Sequence, residues 1–132
     1  MRRLWTSVGM GSLGDDDASL AVMARRNPGL LLVAAEGERI VGSALGAWDG
    51  RRGWIYHVAT APDRQRSGIA RRLVEAVEAG LRAVGCPKVN VIVLDTAKDA
   101  AAFWTAAGYT RLAASQYGRV LAAEDTARGG SR

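Results

Sequence analysis

The chain has 132 residues, 48% of them hydrophobic and 23% charged, and a net charge of +5, which is enough for one real core but not for two. A single cysteine, Cys86, excludes an internal disulfide, and with only one histidine, His57, no residues stand at a metal-ligand spacing. No apolar run nears the roughly 20 residues of a membrane span and the start lacks a secretory pattern, so no membrane association and a cytoplasmic location are expected.

In chain order, residues 1–10 read as a short helix with Leu4, Trp5 and Val8 on one side, broken by Gly9, Gly11 and Gly14. Asp15-Asp16-Asp17 can cap a second helix from Ala18 to Arg26, stopped by Asn27-Pro28-Gly29. Leu30 to Glu36 has the length of a strand. A hairpin turn at Glu36-Gly37-Glu38-Arg39 leads to a second strand, Ile40 to Trp48. A third, Trp54 to Ala61, follows the turn Asp49 to Gly53. The next helix carries Ile69, Leu73, Val77, Leu81 and Val84 on one stripe, so it should pack on a sheet. Lys88 to Leu94 reads as a fourth strand, parallel to the third through a crossover. Thr96 to Asp99 resembles a capping box for a helix from Asp99 to Ala107, closed by Gly108. Tyr109 to Ala113 and Gln116 to Leu121 are a candidate hairpin, and 122–132 a mobile tail. The expected domain is 1–121.

Chemistry concentrates in the stretch from Pro62 to Ala70, between the third strand and its helix. Gly68 and Ala70 let the backbone pass close to a ligand, and the first turn of the helix offers N–H groups to an anion. Four arginines lie between Pro62 and Arg72. Elsewhere the arginines are scattered, with no aromatic interleaving and no helix-turn-helix pattern, which disfavours nucleic acid as a partner. By itself the stretch is equally readable as an ordinary strand-to-helix turn with solvated arginines.

Gln65, Gly68 and Ala70, in the spacing Gln-x-x-Gly-x-Ala behind Val58-Ala59-Thr60-Ala61-Pro62-Asp63, resemble motif A of the GNAT acyl-CoA N-acetyltransferases. Asp49-Gly50 with Arg52-Gly53, Gly85-Cys86-Pro87-Lys88, Phe103-Trp104 with Gly108-Tyr109, and Tyr117 to Leu121 are similar to the small YpeA-like bacterial members, in the same order. The resemblance implies an α/β GNAT fold: a central mixed, mostly antiparallel sheet with helices on both faces, here without the usual first strand. It implies acetyl-CoA as cosubstrate. Gln65, Arg66, Ser67, Gly68, Ile69 and Ala70 would take its pyrophosphate, and Val58, Ala59 and Thr60 would run beside the pantetheine arm. The acetyl group would pass to a primary amine, on a small molecule or a peptide, by direct attack in a ternary complex. An amide N–H near Val58 would polarise the thioester carbonyl.

Three positions depart from the family pattern: Trp104 stands where a tyrosine usually protonates the leaving thiolate, Ala97 where many members have a CoA-contacting asparagine, and Ile92 where some have a basic glutamate. The candidate catalytic residues are therefore His57, whose ordinary pKa range suits removing a proton from an ammonium, and its neighbour Tyr56. Strand alternation would aim these two at opposite faces. His57 as a hydrogen-bonded strand residue, or proton removal through water, are alternatives. The tryptophans read as core or as the rim of a pocket, and Cys86 as a small hydrophobe. Without the first strand, Leu30 to Glu36 would present an open edge, to be covered by a homodimer or by residues upstream of Met1. The rival functions are a CoA-binding or dimerising domain without turnover, and a basic nucleic-acid binder.

Overall fold

The computed structural model describes residues 1–11 and 13–121. The expected tail at 122–132 lies outside the described residues. The chain divides into two compact units, Met1–Ile92 and Val93–Arg132.

The first unit is a four-stranded sheet in the order β1 (Leu31–Glu36), β2 (Arg39–Trp48), β3 (Gly53–Thr60), β4 (Val89–Asn90). The first two pairings are antiparallel and the last is parallel. Helix α3 (Ile69–Ala83) covers one face and buries Ile69, Leu73, Val74, Val77 and Leu81. Glycines let it approach closely: a Cβ on Gly46 would stand 2.6 Å from Val77 Cγ1, and one on Gly42 2.6 Å from Ile69 Cγ2. Helix α1 (Arg2–Ser7) lies on the other face, where the fully buried Trp5 donates from its indole N–H to Ser43 Oγ at 2.9 Å. Helices on both faces of a mixed sheet are the expected arrangement. Helix α2 (Asp17–Arg26) is capped by Asp16, which accepts from Ser19 N–H, and ends at the buried Asn27, whose side chain accepts from Trp48 N–H at 2.7 Å.

Several boundaries differ from those expected. Val84 is 49% exposed because α3 has already ended at Ala83, so it does not continue the buried stripe. The fourth strand shrinks from seven expected residues to Val89–Asn90; Ile92 and Leu94 beyond it are exposed. A β-branched composition makes a segment able to pair, but pairing also needs a neighbour in register, and only Gly53 and Trp54 provide one.

In the second unit, α4 (Lys98–Ala106) has Ala97 as its N-cap, with no side-chain cap bond, so the capping box does not form. Its C-terminal end is as expected, with Gly108 at φ +95. Residues 109–121 form no strand, and Leu112, Tyr117 and Leu121 are exposed. The expected hairpin is absent: its apolar residues gain no burial in this unit that would offset the ordering of two strands. Trp104 is buried, edge-on to Phe103 at 5.1 Å and to Tyr109 at 4.8 Å, as a core residue should be.

Candidate active site

β3 runs into a short 3-10 turn, Pro62–Arg64, and α3 starts from Gly68. Of residues 66–68 the outer two are left-handed, Arg66 at φ +64 and Gly68 at φ +82. Such alternation turns successive amides toward one side, the geometry of a small hollow that suits an anion. The first intrahelical hydrogen bond runs from Arg72 N–H to Gly68 C=O at 3.1 Å. The amides of Ile69, Ala70 and Arg71 precede it and point out of the helix end, where the helix dipole adds to their attraction for an anion. A Cβ added to Gly68 would meet nothing within 4 Å, and Gln65, Arg66 and Ser67 are exposed, so a ligand can reach the hollow. Buried Ile69 anchors the helix start, and the Ser67 hydroxyl donates to Arg64 C=O within the turn.

The four arginines here are not equivalent. Arg64 donates through Nε to both carboxylate oxygens of Glu36, at 3.0 and 2.9 Å, and through Nη1 to Asp63. Arg39 grips Asp63 with two bonds of 2.9 and 2.6 Å. The bond from Arg39, then the charges of Arg39 and Arg64, hold the Asp63 carboxyl down at about 2. This network ties the turn before the hollow to the β1–β2 hairpin. It leaves Arg66 and Arg72 as the arginines with no ion pair among the described residues; Arg71 stands 3.7 Å from Glu75.

On its way to this loop β3 is irregular. Ser43 pairs with Ala59 but Leu45 with Tyr56, so two residues, His57 and Val58, oppose one. His57 takes φ +47, a conformation that costs a non-glycine residue about 1–2 kcal/mol. Three contacts oppose that cost. The Ser43 hydroxyl donates to His57 C=O at 2.7 Å, Trp5 packs on the imidazole with centroids 4.5 Å apart, and His57 Nε2 lies 2.8 Å from Asp15 Oδ2. Both partners of that last pair are about four-fifths buried, their side chains being 21% and 18% exposed.

The bulge also corrects the expectation that Tyr56 and His57 face opposite ways. Gly53 faces α3, where a Cβ would meet Leu81, so alternation turns Trp54 and Tyr56 away from it; their rings stack at 6.5 Å. The extra residue then turns His57 to the same side, against Trp5 of α1. Burial first, and the Asp49 charge second, push the Tyr56 phenol up, so it stays protonated. Beside Trp5 and Asp15 opens a cleft of about 290 Å³, lined also by Arg2, Thr6, Met10 and Asp16. Along its other side β3 pairs with β4 only at Gly53 and Trp54. From Ile55 to Thr60, which includes Val58, Ala59 and Thr60, that edge has no ladder partner among the described residues.

The model of the Acetyltransferase (GNAT) family matches residues 3–109. This chain belongs to that family. Acetyltransferases of Sodalis glossinidius (strain morsitans) and Yersinia enterocolitica serotype O:8 / biotype 1B are each 38% identical to this GNAT chain over 79 residues, 60% of it and 56% of the relative. It thus spans a little over half the length of the curated relatives it matches. Among solved structures, an aminoglycoside acetyltransferase from an uncultured soil metagenomic sample, in complex with trehalose, superposes with a TM-score of 0.73 at 21% identity, covering 91% of this chain and 86% of its own. AAC(6')-Iy, in complex with the bisubstrate analogue CoA-S-monomethyl-acetylneamine, gives 0.68 at 16% identity, covering 92% and 86%. At these identities the likeness is one of fold.

The residues around His57 that sequence reasoning missed are Asp15 and Ser43; Trp5, read as core or pocket rim, is buried and lines the cleft. The Asp15-Asp16-Asp17 run reads as a helix cap, yet Asp16 alone caps, Asp17 pairs with Arg2, and Asp15 turns inward to His57. Three consecutive carboxylates exceed what a cap needs, and that surplus was the available signal.

Proposed function

We propose that this protein transfers the acetyl group of acetyl-CoA to a primary amine by direct attack within a ternary complex. The observation that carries the reading is the left-handed hollow at the start of α3 continuing the open edge of β3. A pyrophosphate suits the amides from Gln65 to Ala70 and Arg66, which has no ion pair among the described residues, and an extended amide-bearing arm suits the backbone of Val58 to Thr60. An amide N–H near Val58 would stabilise the oxyanion of the thioester carbon. His57 and Tyr56, on one face of the sheet, are the candidate base and acid; burial favours the proton-bearing form of the Tyr56 phenol, the form an acid needs. Holding amine and thioester together supplies much of the rate, from the roughly 7–11 kcal/mol available to well-oriented reactants.

The amine would enter the cleft beside Trp5, where Asp15 and Asp16 favour a cationic acceptor. A small-molecule or a peptide amine fits that description. Because aminoglycoside acetyltransferases share the fold, an aminoglycoside is a sensible first acceptor to try. A cytoplasmic location belongs to the same proposal, as does a homodimer formed along the outer edge of β1. Among the described residues no helix is long and apolar enough to cross a membrane.

One observation favours a second reading. Trp104, in place of the usual tyrosine, is buried between Phe103 and Tyr109, and an indole has no proton to give near neutral pH. A domain that binds CoA without turnover would use such a residue as core. The two readings separate in one experiment: thermal unfolding with acetyl-CoA, followed by release of CoA thiol with a panel of amines. Stabilisation with amine-dependent thiol release supports the enzyme, stabilisation without release supports the binding domain, and no stabilisation refutes both.

A further inference from the structure

We infer, on the acetyltransferase reading above, that Asp15 is a positioning residue that makes His57 the base: it accepts the Nε2–H bond, fixes the ring, and leaves Nδ1 to take the proton. An ionised carboxylate can only accept, so at 2.8 Å from Asp15 Oδ2 the Nε2 atom must carry the hydrogen. In the neutral ring the lone pair then sits on Nδ1, which has no hydrogen-bond partner among the described residues. Trp5 packs at a tilt of 58° on the same ring and is itself fixed by its bond to Ser43. Ser43 in turn holds the carbonyl of the bulged residue. The imidazole is thus held through its ring face, its Nε2 and its backbone, in a left-handed conformation that a free strand would abandon.

The location suits the role. Trp5 and Asp15 also line the cleft proposed for the amine. His57 Nδ1 takes a proton from the acceptor's ammonium group, and the freed lone pair forms the new C–N bond at the thioester carbon. The C–S bond breaks with its electron pair on sulfur, the Tyr56 phenol gives its proton to the thiolate, and the second proton leaving nitrogen restores the phenol. The imidazolium then returns its proton to water, so the net products are amide, CoA thiol and one proton. The Asp15 carboxylate, 2.8 Å from Nε2, stabilises the imidazolium.

A merely structural Asp15 would tether the α1–α2 connection to the sheet, and this makes a different prediction. Asp15→Asn keeps the shape and an accepting oxygen but removes the charge. With acetyl-CoA and a panel of neamine, spermidine and an alanine-initiated peptide, we expect kcat of Asp15→Asn to fall by at least about tenfold, a part of the roughly 10²–10⁴-fold that a general base contributes. KM for acetyl-CoA and the melting temperature should stay near those of the wild type. His57→Gln should lose as much or more, and the double variant should lose no more than His57→Gln alone. Wild-type kcat in Asp15→Asn, or additive losses in the double variant, would overturn the inference and leave the acetyltransferase reading intact. Acetyl-CoA binding by the wild type without thiol release for any of the three amines would overturn that reading, and the inference with it.

Discussion

Replacing Gly68 tests the loop more directly than any other change. Gly68 sits at φ +82, and a Cβ there meets nothing within 4 Å, so Gly68→Ala has only backbone strain to bear, about 1–2 kcal/mol. Unfolding entropy of about 2.1 cal/mol/K per residue over the roughly 120 described residues converts each kcal/mol to about 4 °C. The melting temperature without ligand should therefore fall by about 4–8 °C. Gly68→Glu should fall by a similar amount, because its longer side chain projects into the same open space. The two should part when acetyl-CoA is added. At 100 times its dissociation constant the ligand stabilises by about 2.7 kcal/mol, or about 11 °C on the same conversion. The wild type should show that shift; Gly68→Glu, with a carboxylate where the phosphates belong, should show none. Differential scanning calorimetry with and without acetyl-CoA reads both quantities. A full ligand shift in Gly68→Glu would refute the assignment of this loop to pyrophosphate.

Three further outcomes follow from named contacts. Gly46→Ala should cost about 1–3 kcal/mol by overpacking, since its Cβ would lie 2.6 Å from Val77 Cγ1 and 3.1 Å from the Leu30 carbonyl oxygen; the urea midpoint should drop with little change in slope. Arg66→Gln should raise the dissociation constant for acetyl-CoA measured by calorimetry, whereas Arg64→Gln, whose guanidinium is engaged by Glu36 and Asp63, should chiefly lower the melting temperature. Asp63 has a folded pKa of about 2, below its ordinary 3.8, so its contribution to stability is full above about pH 4 and is lost as pH falls toward 2. Glu36, lowered by its bond to Arg64, acts in the same direction. Melting temperatures measured from pH 5 to pH 2 should fall less steeply in Asp63→Asn than in the wild type.

The parts of this fold legible in sequence are those set by local periodicity and by turn chemistry. The α3 stripe from Ile69 to Leu81 and the β1–β2 turn at Gly37 depend on neighbours a few residues apart, and both form where expected. What was not legible depends on distant partners. The Asp15–His57 contact joins residues 42 apart in sequence; the local pattern shows one carboxylate more than a helix cap needs but not where it goes. The bulge at His57 and Val58 reverses the alternation that strand reading assumes, so Tyr56 and His57 share a face instead of dividing between two. The segments 91–94 and 109–121 carry strand-forming residues, but a strand exists only where a partner edge is available, and composition does not report one.

The open edge of β3 sets a physical problem that the rest of the first unit answers. If, as proposed, β3 leaves the backbone from Ile55 to Thr60 available to a ligand, it forgoes a ladder on that side, and with it half the hydrogen bonds that would hold it straight. On the proposed reading the same strand must keep His57 fixed in a strained conformation. Its rigidity has to come from the opposite edge, from its faces and from its end. Each of these is supplied. β2 pairs with it on both sides of the bulge, and α3 packs on one face at glycine distance. Trp5, Ser43 and Asp15 hold the other face at the bulge. The Arg39–Asp63–Arg64–Glu36 network fixes the turn where the strand gives way to the loop. Loosening any one of these should therefore disturb catalysis more than its contribution to stability would suggest, because each restrains a strand whose second neighbour, β4, pairs with it only at Gly53 and Trp54 among the described residues.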